Sequence, residues 1–529
     1  MKKYKFTASR MVLLISLVLA VFYNYAFFSN VTKVYPLSWE KLPFLCSLFV
    51  LLVSAVALLL MFFCSKYTLK PVLILVLTVS SLASYFMNTY SVVIDDTMIR
   101  NVVQTNSSES MDLLNLKMVC YFFFLGVLPS TLVYKSKIHY GALKTELLSR
   151  LRGTVILMMI MLATVFGFSA YYASFFREHK ELRYYINPVS WIGAAVDFST
   201  HSLKGKAAVV RPIGTDAAIP ATDTNRELVI LVVGETARAD RFSLNGYGRE
   251  TNPRLAKEDI INFPNMFSCG TTTAVSVPCM FSIFGKKDFS DKKARGTENL
   301  LDVLTHAGVH VLWRDNNSSS KGVAARVPYE DYKSSRTNPE CDVECRDEGM
   351  LSGLQNHIDQ YESGDILIVL HQMGNHGPAY YKRYPKEFEQ FTPACETNQL
   401  EACTTEQINN AYDNAILYTD YFLAKIIALL KQNSGAFETA MIYMSDHGES
   451  LGENGVYLHG MPYFMAPDAQ KHIPAVMWFG DTFKTDKEAL KSKAQLPFSQ
   501  DYLFHTILGL MEVSTSIYDK SLDILNFDN

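Results

Sequence analysis

The sequence has few charged residues and little net charge. Charged side chains make up 19% of the 529 residues, below the ~25% of an average soluble domain, and the formal net charge is −3. A net charge this close to zero provides no general basic surface, so we expect no nucleic-acid partner. The 49% hydrophobic content excludes a disordered chain. The sequence shows neither an internal repeat nor a low-complexity tract.

Cysteine is also scarce, with nine residues in the chain. Three of them, Cys46, Cys64 and Cys120, fall within apolar runs. The other six follow residue 260 in close sequence pairs, which favours short-loop disulfides in an oxidising compartment. Zinc binding is the competing interpretation, but no Cys-x-x-Cys pair is present. The pairs are Cys269/Cys279, Cys341/Cys345 and Cys395/Cys403.

Five long apolar runs occupy the first third of the chain. Each approaches the ~20 residues that a helix needs to cross ~30 Å of hydrocarbon. One run alone would fit a buried core helix, but five in succession predict a membrane domain. The first follows a basic start without a clear cleavage site, so we expect a retained anchor. Pro129 predicts a kink in the fourth. The runs are 11–28, 42–64, 71–93, 118–134 and 154–172.

Positive charge is unevenly divided among the loops of this domain. Lysine and arginine are concentrated before the first span, between spans two and three, and between spans four and five. The positive-inside rule therefore predicts a cytoplasmic N-terminus and places the chain after about residue 176 outside the membrane. A channel or transporter is the less favoured alternative, because no span carries a run of ionisable residues.

The loop between spans three and four contains an amphipathic segment at 94–105. We expect it to form a helix at the outer membrane–water interface. Its polar residues are either solvated or form the wall of a lipid-headgroup site. The apolar residues that share one face are Met98, Ile99, Val102 and Val103. The polar residues are Asn101, Thr105 and, a turn or two further along the chain, Glu109.

The remaining sequence has the pattern of an α/β domain. Short β-branched runs alternate with helical stretches, which predicts a largely parallel sheet covered by helices. The predicted strands are 228–233, 309–313, 366–370, 439–444 and 475–479, and the predicted helices are 297–307 and 407–431. The chain thus divides into a five-helix membrane domain (1–176), a connector with a Pro- and Gly-containing linker at 211–225 (177–225), and an α/β domain (226–529).

Metal-competent side chains follow several of the predicted strands. Glu235 follows the first strand, and Asp446 and His447 follow the fourth. Because ligands bind at the carboxyl ends of parallel strands, we expect these groups to converge there. Carboxylates with imidazole suit zinc or manganese better than calcium, and zinc would keep a fourth position for a nucleophile or a substrate oxygen.

A cluster of hydroxyl groups lies between two cysteines in CGTTTAVSVPC (269–279). A disulfide there would hold a hydroxyl in place, and metal ligation would lower the pKa of that hydroxyl and activate it as a nucleophile. Spacing alone does not choose among Thr271, Thr272 and Thr273.

Histidine and lysine residues provide further candidates. His376 and His459 suit proton transfer, since an imidazole pKa of about 6.5 lies near neutrality. His371 directly follows a hydrophobic strand and is expected to be structural. Lys321 either holds an anionic phosphoryl group or is a solvated charge.

Five motifs of this chain are similar to those of a known family. With them the chain resembles the phosphoethanolamine transferases of Gram-negative inner membranes, within the alkaline phosphatase/sulfatase superfamily. It looks most like the branch acting on lipid A, which includes the mobile colistin-resistance enzymes. The motifs are VVGETARADRFSLNGYGRETNP (232–253), CGTTTAVSVPCMFS (269–282), LWRDNNSSSKG (312–322), GNHGPAYYKRYP (374–385) and SDHGESLGENGVYLHG (445–460).

The resemblance implies a role for each candidate residue. Thr273 matches the nucleophile that carries the phosphoethanolamine intermediate. His376 and His459 match donor-pocket histidines, which bind a second zinc in some relatives. The loop between Cys341 and Cys345 is shorter than in some relatives. The implied zinc ligands are Glu235, Thr273, Asp446 and His447. The implied headgroup-binding residues are Asn101, Thr105, Glu109, Ser318, Lys321, His376 and His459.

The implied reaction moves phosphoethanolamine from phosphatidylethanolamine to a lipid A phosphate through a phosphothreonine-type intermediate. It would lower the negative charge of the cell surface and favour polymyxin resistance. One alternative is the same chemistry on a core sugar (Kdo or heptose) or a periplasmic glucan. A membrane phosphodiesterase or sulfatase is disfavoured because CGTTTAVSVP lacks the arginine of the sulfatase C/S-x-P-x-R context. A sensor or transporter with a degenerate domain is disfavoured because every metal-ligand position is present.

Overall fold

The computed structural model describes residues 6–104, 111–169, 171–172, 175, 179–203 and 210–527. The chain divides into two compact units, Met1–Ile99 with Leu114–Thr200, and Arg100–Leu113 with His201–Asn529. The amphipathic segment and the connector predicted from the sequence are therefore each divided between the two units.

Apolar helices make up the first unit. Among the described residues, four helices are long and apolar enough to cross a membrane, and a bent pair at the start raises this to five spans if the pair counts as one. The four are Leu42–Phe63, Leu69–Tyr90, Leu116–Lys135 and Lys144–Gly167, and the bent pair is Ala8–Phe22 with Tyr25–Val34. Other helices before the α/β unit are the amphipathic helix Asp96–Gln104, the 3-10 helix Lys180–Tyr185 and the helix Val189–Leu203.

The first span is not the single continuous helix that the sequence predicts. Its two parts meet at 56°. The Asn24 side chain donates from Nδ2 to the backbone oxygens of Leu19 (2.9 Å) and Asn187 (2.7 Å). A side-chain amide that bonds locally to the backbone competes with the helical hydrogen bonds. The prediction of one continuous helix is wrong because the length of an apolar run does not register this competition.

The fourth span changes pitch just before Pro129, the residue that predicts a kink. Phe122–Val127 is π-helical. Proline has no N–H to donate to the carbonyl four residues earlier, which here belongs to Leu125. The hydroxyl of Tyr23 donates a hydrogen bond to that carbonyl. The break in the first span and the pitch change in the fourth are thus joined by a hydrogen bond.

An eight-stranded sheet forms the centre of the second unit. The strands are β1 (Glu227–Gly234), β2 (Ile260–Phe267), β3 (His310–Asp315), β4 (Tyr329–Asp331), β5 (Ile366–His371), β6 (Glu438–Ser445), β7 (His472–Phe479) and β8 (Phe498–Ser499). Their order in the sheet is β8-β2-β7-β6-β1-β5-β3-β4. Strand β7 runs antiparallel to its neighbours β2 and β6, and the other neighbouring pairs are parallel.

The predicted α/β class with a mostly parallel sheet is confirmed, and all five predicted strands are present. Strand β2, which contains Pro264, was not predicted from the sequence. Proline lowers the strand signal because it cannot donate to a ladder. Strands β4 and β8, with three and two residues, are too short to leave a pattern.

Helices cover this sheet, and two of them match the predictions closely. Thr405–Asn433 begins with a capping box between Thr404 and Gln407, and Leu300–His306 begins with one between Asn299 and Asp302. Shorter helices are Thr273–Met280, Asp291–Arg295, Leu354–Ile358, Lys487–Lys493 and Leu503–Leu510. The segment predicted as a linker packs on this unit, since Ala217 is buried and Ala218 pairs with Ser514.

Candidate active site

The carboxyl ends of β1 and β6 bring three candidate ligands together. The two strands are paired in parallel so that Gly234 lies opposite Ser445. Glu235 and Asp446 therefore leave the sheet side by side, and the Asp446 N–H donates to the Gly234 oxygen at 2.9 Å. One ligand atom from each of Glu235, Asp446 and His447 lies within 4.8 Å of the others, and all three residues are buried.

Thr273 presents its hydroxyl to this group of ligands. It is the first residue of the helix Thr273–Met280. Its Oγ1 donates to Glu235 Oε2 at 3.0 Å and lies 3.4 Å from His447 Nε2. The hydroxyl of Thr271 instead donates to the backbone oxygen of Met461 at 2.6 Å. A disulfide between Cys269 and Cys279 closes this stretch of chain. The other two bridges of the structure are Cys341–Cys345 and Cys395–Cys403.

The donor atoms of the cluster fit a divalent cation. The Nδ1 of His447 lies 2.9 Å from the Gly448 oxygen, which only accepts, so Nδ1 carries the proton of a neutral ring. Nε2 then offers a lone pair 3.5 Å from Glu235 Oε1 and 3.4 Å from Asp446 Oδ2. Buried acceptor atoms that face one another need a cation between them.

The protonation state of His447 agrees with this arrangement. Desolvation by burial lowers its pKa to about 4, so the ring is neutral near pH 7 and able to bind a metal. Two carboxylates, one imidazole and a hydroxyl make a four-atom set of the kind that zinc accepts.

Asn317 binds the carboxylate of Glu235 and was not among the residues predicted from the sequence. Its Nδ2 donates to Glu235 Oε2 at 2.7 Å and to the Gln372 backbone oxygen at 2.8 Å. Ser318 Oγ donates to Asn317 Oδ1 at 3.0 Å, and Lys321 Nζ donates to Ser318 Oγ at 2.5 Å. Two predicted headgroup residues are thus linked to the cluster. The only sequence signal was the polar pair that follows β3.

His376 and His459 lie beside His447. The ring of His459 is centred 4.4 Å from that of His447 and 5.4 Å from that of His376. His459 Nδ1 is 3.1 Å from Oε2 of Glu449, a buried residue that the sequence analysis also missed within SDHGE. Burial, followed by the positive potential of His459, holds the pKa of His376 well below its usual value. Burial raises the pKa of Glu449.

Four candidates remain: His371, Asn101, Thr105 and Glu109. His371 is fully buried, with Nδ1 3.1 Å from Asp315 Oδ2, as expected of a structural residue. Asn101 lies in the helix Asp96–Gln104, in the segment grouped with the second unit. Thr105 and Glu109 lie outside the described residues.

A hydrogen-bond network joins the segment Arg100–Leu113 to the motif that contains His376. Asp112 Oδ2 accepts from Arg383 Nη2 at 2.9 Å, and Lys382 also donates to the Asp112 carboxylate. Arg383 Nε in turn donates to the His376 backbone oxygen at 2.6 Å. Arg383 therefore contacts both the loop that follows the third span and the histidine cluster.

A cavity of about 500 Å³ is bordered by the nucleophile-bearing helix through Pro278 and by Ser318 and Lys321. Its lining carries charges of both signs, because Arg295 pairs with Asp291 at 3.1 Å and Arg326 pairs with Asp302 at 2.5 Å.

Comparison with known proteins agrees with the fold and with the membrane segments. A sulfatase family model matches residues 227–513. A model described as phosphoethanolamine transferase EptA/EptB matches residues 52–203. The fold and the cluster at its strand ends thus define a protein of the sulfatase class that carries a helical membrane domain.

Full-length relatives are more specific. Phosphatidylethanolamine transferase Mcr-2 of Escherichia coli is 44% identical over 526 residues, which are 97% of this chain and 96% of that protein. Phosphoethanolamine transferase EptA of Escherichia coli K12 is 41% identical over 532 residues, 97% of this chain and 96% of that one. The chain belongs to the phosphoethanolamine transferase family.

A solved structure gives the same result for the whole architecture. It is the integral membrane lipooligosaccharide phosphoethanolamine transferase A (EptA) from Neisseria meningitidis, 37% identical, with a TM-score of 0.95 and 99% of both chains covered.

Proposed function

We propose that this protein transfers phosphoethanolamine from phosphatidylethanolamine to a phosphate of lipid A, with Thr273 as the nucleophile. The observation that carries the proposal is the position of the Thr273 hydroxyl, 3.0 Å from Glu235 Oε2 and 3.4 Å from His447 Nε2. A hydroxyl at the start of a helix and among metal-competent groups is suited to attack phosphorus. The names of the full-length relatives support the donor and the transferred group.

In the first half-reaction, Thr273 Oγ1 attacks the phosphorus of the donor lipid. Its proton goes to the Glu235 carboxylate, which already accepts that hydrogen bond. The bond between phosphorus and the diacylglycerol oxygen breaks, and the leaving oxygen needs a proton. We assign this proton to His459, which is held by the Glu449 carboxylate. His376 is less suited as the acid, because its lowered pKa keeps the ring neutral.

The developing negative charge is stabilised by groups of this chain. The first N–H groups of the helix Thr273–Met280 point out of its positive end. Lys321 carries a positive charge on the chain of hydrogen bonds that leads to Glu235. In the second half-reaction an acceptor phosphate oxygen attacks the phosphorus, the bond from phosphorus to Thr273 Oγ1 breaks, and Oγ1 takes back the proton that Glu235 received. His459 regains its proton from the acceptor hydroxyl, or from water when the acceptor carries none.

Zinc is the metal that these ligands suit, and when bound it would lower the pKa of the Thr273 hydroxyl and add positive charge at the phosphoryl group. The zinc ligands in this proposal are Glu235, Thr273, Asp446 and His447. His376 and His459 are close enough to each other to share a second zinc with substrate. Headgroup contacts are assigned to Asn101, Thr105, Glu109, Ser318, Lys321 and both histidines.

The relatives support lipid A as the acceptor. The Neisseria enzyme, which acts on lipooligosaccharide, is 37% identical over 99% of this chain. A Kdo(2)-lipid A phosphoethanolamine 7''-transferase from Salmonella typhimurium is 26% identical over 83% of it. The lower identity and coverage of the Kdo(2)-lipid A 7''-transferase weigh against the acceptor position of that enzyme. The proposed location is the inner membrane, with the N-terminus in the cytoplasm and the catalytic unit in the periplasm.

Purified full-length protein in detergent, given phosphatidylethanolamine and lipid A, tests the proposal by mass spectrometry of both protein and lipid. We expect donor alone to leave phosphoethanolamine on Thr273, and added lipid A to remove it and gain it on a phosphate. Thr273→Ala should do neither, whereas Thr273→Ser should keep partial activity. Modification found only on the core sugar would show that the acceptor is a core sugar and not a lipid A phosphate. Release to water at an equal rate without acceptor would make the protein a phosphodiesterase.

A further inference from the structure

A second group of carboxylates lies at the opposite end of the sheet from the candidate active site. It consists of Asp223, Glu227 and Asp365, and one carboxylate oxygen from each lies within 4.8 Å of the others. Glu227 begins β1, and Asp365 immediately precedes β5, which pairs with β1 in parallel. Asp223 is in the segment that leads into β1. The eight residues of β1 separate the two clusters by roughly 26 Å.

The central member of this group is buried among acceptors. Glu227 is 1% exposed and Asp365 is 5% exposed. Neither carboxylate oxygen of Glu227 has a hydrogen-bond partner among the described residues, and the same is true of Asp223 Oδ2. Burial, and next the carboxyl group of Asp365, raise the pKa of Glu227 to about 9. A buried carboxylate without a donor needs either a proton or a cation.

The hydrogen bonds to these oxygens come from backbone N–H groups. The Glu227 N–H donates to Asp365 Oδ1 at 3.1 Å, and the Asn225 N–H donates to Asp223 Oδ1 at 3.0 Å. Lys484 lowers the pKa of the bordering Glu512, and Arg226, which precedes Glu227, donates from Nε to the Gly364 oxygen and from Nη2 to the Tyr361 oxygen, both at 3.0 Å. Its guanidinium is therefore directed to backbone carbonyls.

Further negative charge borders the group. Glu438 begins β6 opposite Glu227 in the register, and its Oε1 accepts from Asn225 Nδ2 at 2.6 Å. The carboxyl of Glu512 has a raised pKa because of burial and then of repulsion from Asp223 and Glu438. A bound divalent cation would offset two of these negative charges.

We propose that Asp223, Glu227 and Asp365 form a calcium site that fixes the segment before β1 to the amino ends of β1 and β5. The donor set is all oxygen, which calcium prefers and zinc does not. Ligand oxygens up to 4.8 Å apart fit around calcium, whose bonds to oxygen are about 2.4 Å long. Magnesium requires a tighter octahedron and keeps more water.

Calcium binding to the full-length protein in detergent tests this site. The protein is stripped of metal, reloaded with zinc and dialysed against radioactive calcium, and thermal unfolding is followed at each calcium concentration. We expect calcium to raise the unfolding midpoint of the wild type and of Glu387→Gln, a control that alters an exposed carboxylate outside the group. Glu227→Gln should weaken calcium binding at least tenfold and abolish the shift in midpoint.

Equal calcium binding and an equal shift in wild type and Glu227→Gln would overturn the proposal, and the group would then be a carboxyl pair sharing a proton. If Glu227→Gln does not fold, Asp223→Asn replaces it as the test variant. Asp223 is only partly buried, so we expect its substitution to leave the protein folded. Unchanged calcium affinity in that variant would also overturn it. Phosphoethanolamine transfer is measured separately and does not enter this test.

Discussion

The carboxamide of Asn317 holds the carboxylate of Glu235 with a hydrogen bond of 2.7 Å from Nδ2 to Oε2. The same oxygen accepts the Thr273 hydroxyl at 3.0 Å, while Oε1 faces Nε2 of His447 at 3.5 Å. Asn317 thus fixes which oxygen of Glu235 faces the nucleophile and which faces the other ligands.

Replacement of Asn317 by alanine should weaken zinc binding. Residues that orient a metal ligand typically contribute about 10- to 100-fold to affinity or activity. We expect a loss in this range in zinc titrations of the full-length protein, with transfer activity restored by excess zinc. Activity that stays low at saturating zinc, with normal zinc affinity, would show that Asn317 acts on the substrate and not on Glu235.

Removal of a ligand itself should have a stronger effect. Glu235→Ala and His447→Ala should each bring transfer to background and lower the zinc content of purified protein, while the protein remains inserted in the membrane. Both residues are fully buried among the candidate ligands. Metal analysis paired with the lipid assay checks this. Full zinc content in either variant would remove that residue from the ligand set.

The disulfide Cys269–Cys279 should stabilise the segment that bears Thr273. Loss of a native bridge in an exported domain typically costs about 2–5 kcal/mol. We therefore expect the double variant Cys269→Ala/Cys279→Ala to show a lower folded yield, a lower unfolding midpoint and reduced transfer. Cys46→Ala is the control, since Cys46 forms no disulfide. Equal yield and midpoint in the double variant and the control would show that the bridge contributes little.

Stability should depend on pH through Glu227 when calcium is absent. Its pKa in the folded protein is raised to about 9, mainly by burial, from an ordinary value of 4.5. Between these values the folded state holds a proton that the unfolded state releases, so stability should fall as pH rises. In calcium-chelating buffer, we expect the unfolding midpoint of the wild type to fall relative to that of Glu227→Gln from pH 5 to about pH 9. A difference independent of pH would contradict the raised pKa.

The sequence alone predicted the parts of the site that follow directly from strands. Glu235 and Asp446 follow the hydrophobic strands β1 and β6, and such strands are recognisable from their β-branched runs. The choice of Thr273 among three threonines came from family likeness, and in the structure its hydroxyl faces Glu235. Spacing could not make this choice, because it does not say where a helix begins.

Other features depended on contacts between distant parts of the chain. Asn317 and Glu235 form a hydrogen bond although they are 82 residues apart in the sequence, and Glu227 and Asp365 do so at a separation of 138 residues. No local sequence pattern predicts either pair. The break in the first span depends on Asn24 bonding to Asn187, 163 residues away. Hydrophobic periodicity also does not predict that β7 runs antiparallel to its neighbours.

Composition and periodicity determined that this chain has a helical membrane domain and an α/β domain with polar groups at its strand ends. They do so because the pattern of apolar residues within a short stretch of sequence indicates which face of a helix or strand is buried. The tertiary structure decided which of these polar groups face one another. Hydrogen bonds and charge interactions act over a few ångströms in space, whatever the separation along the chain.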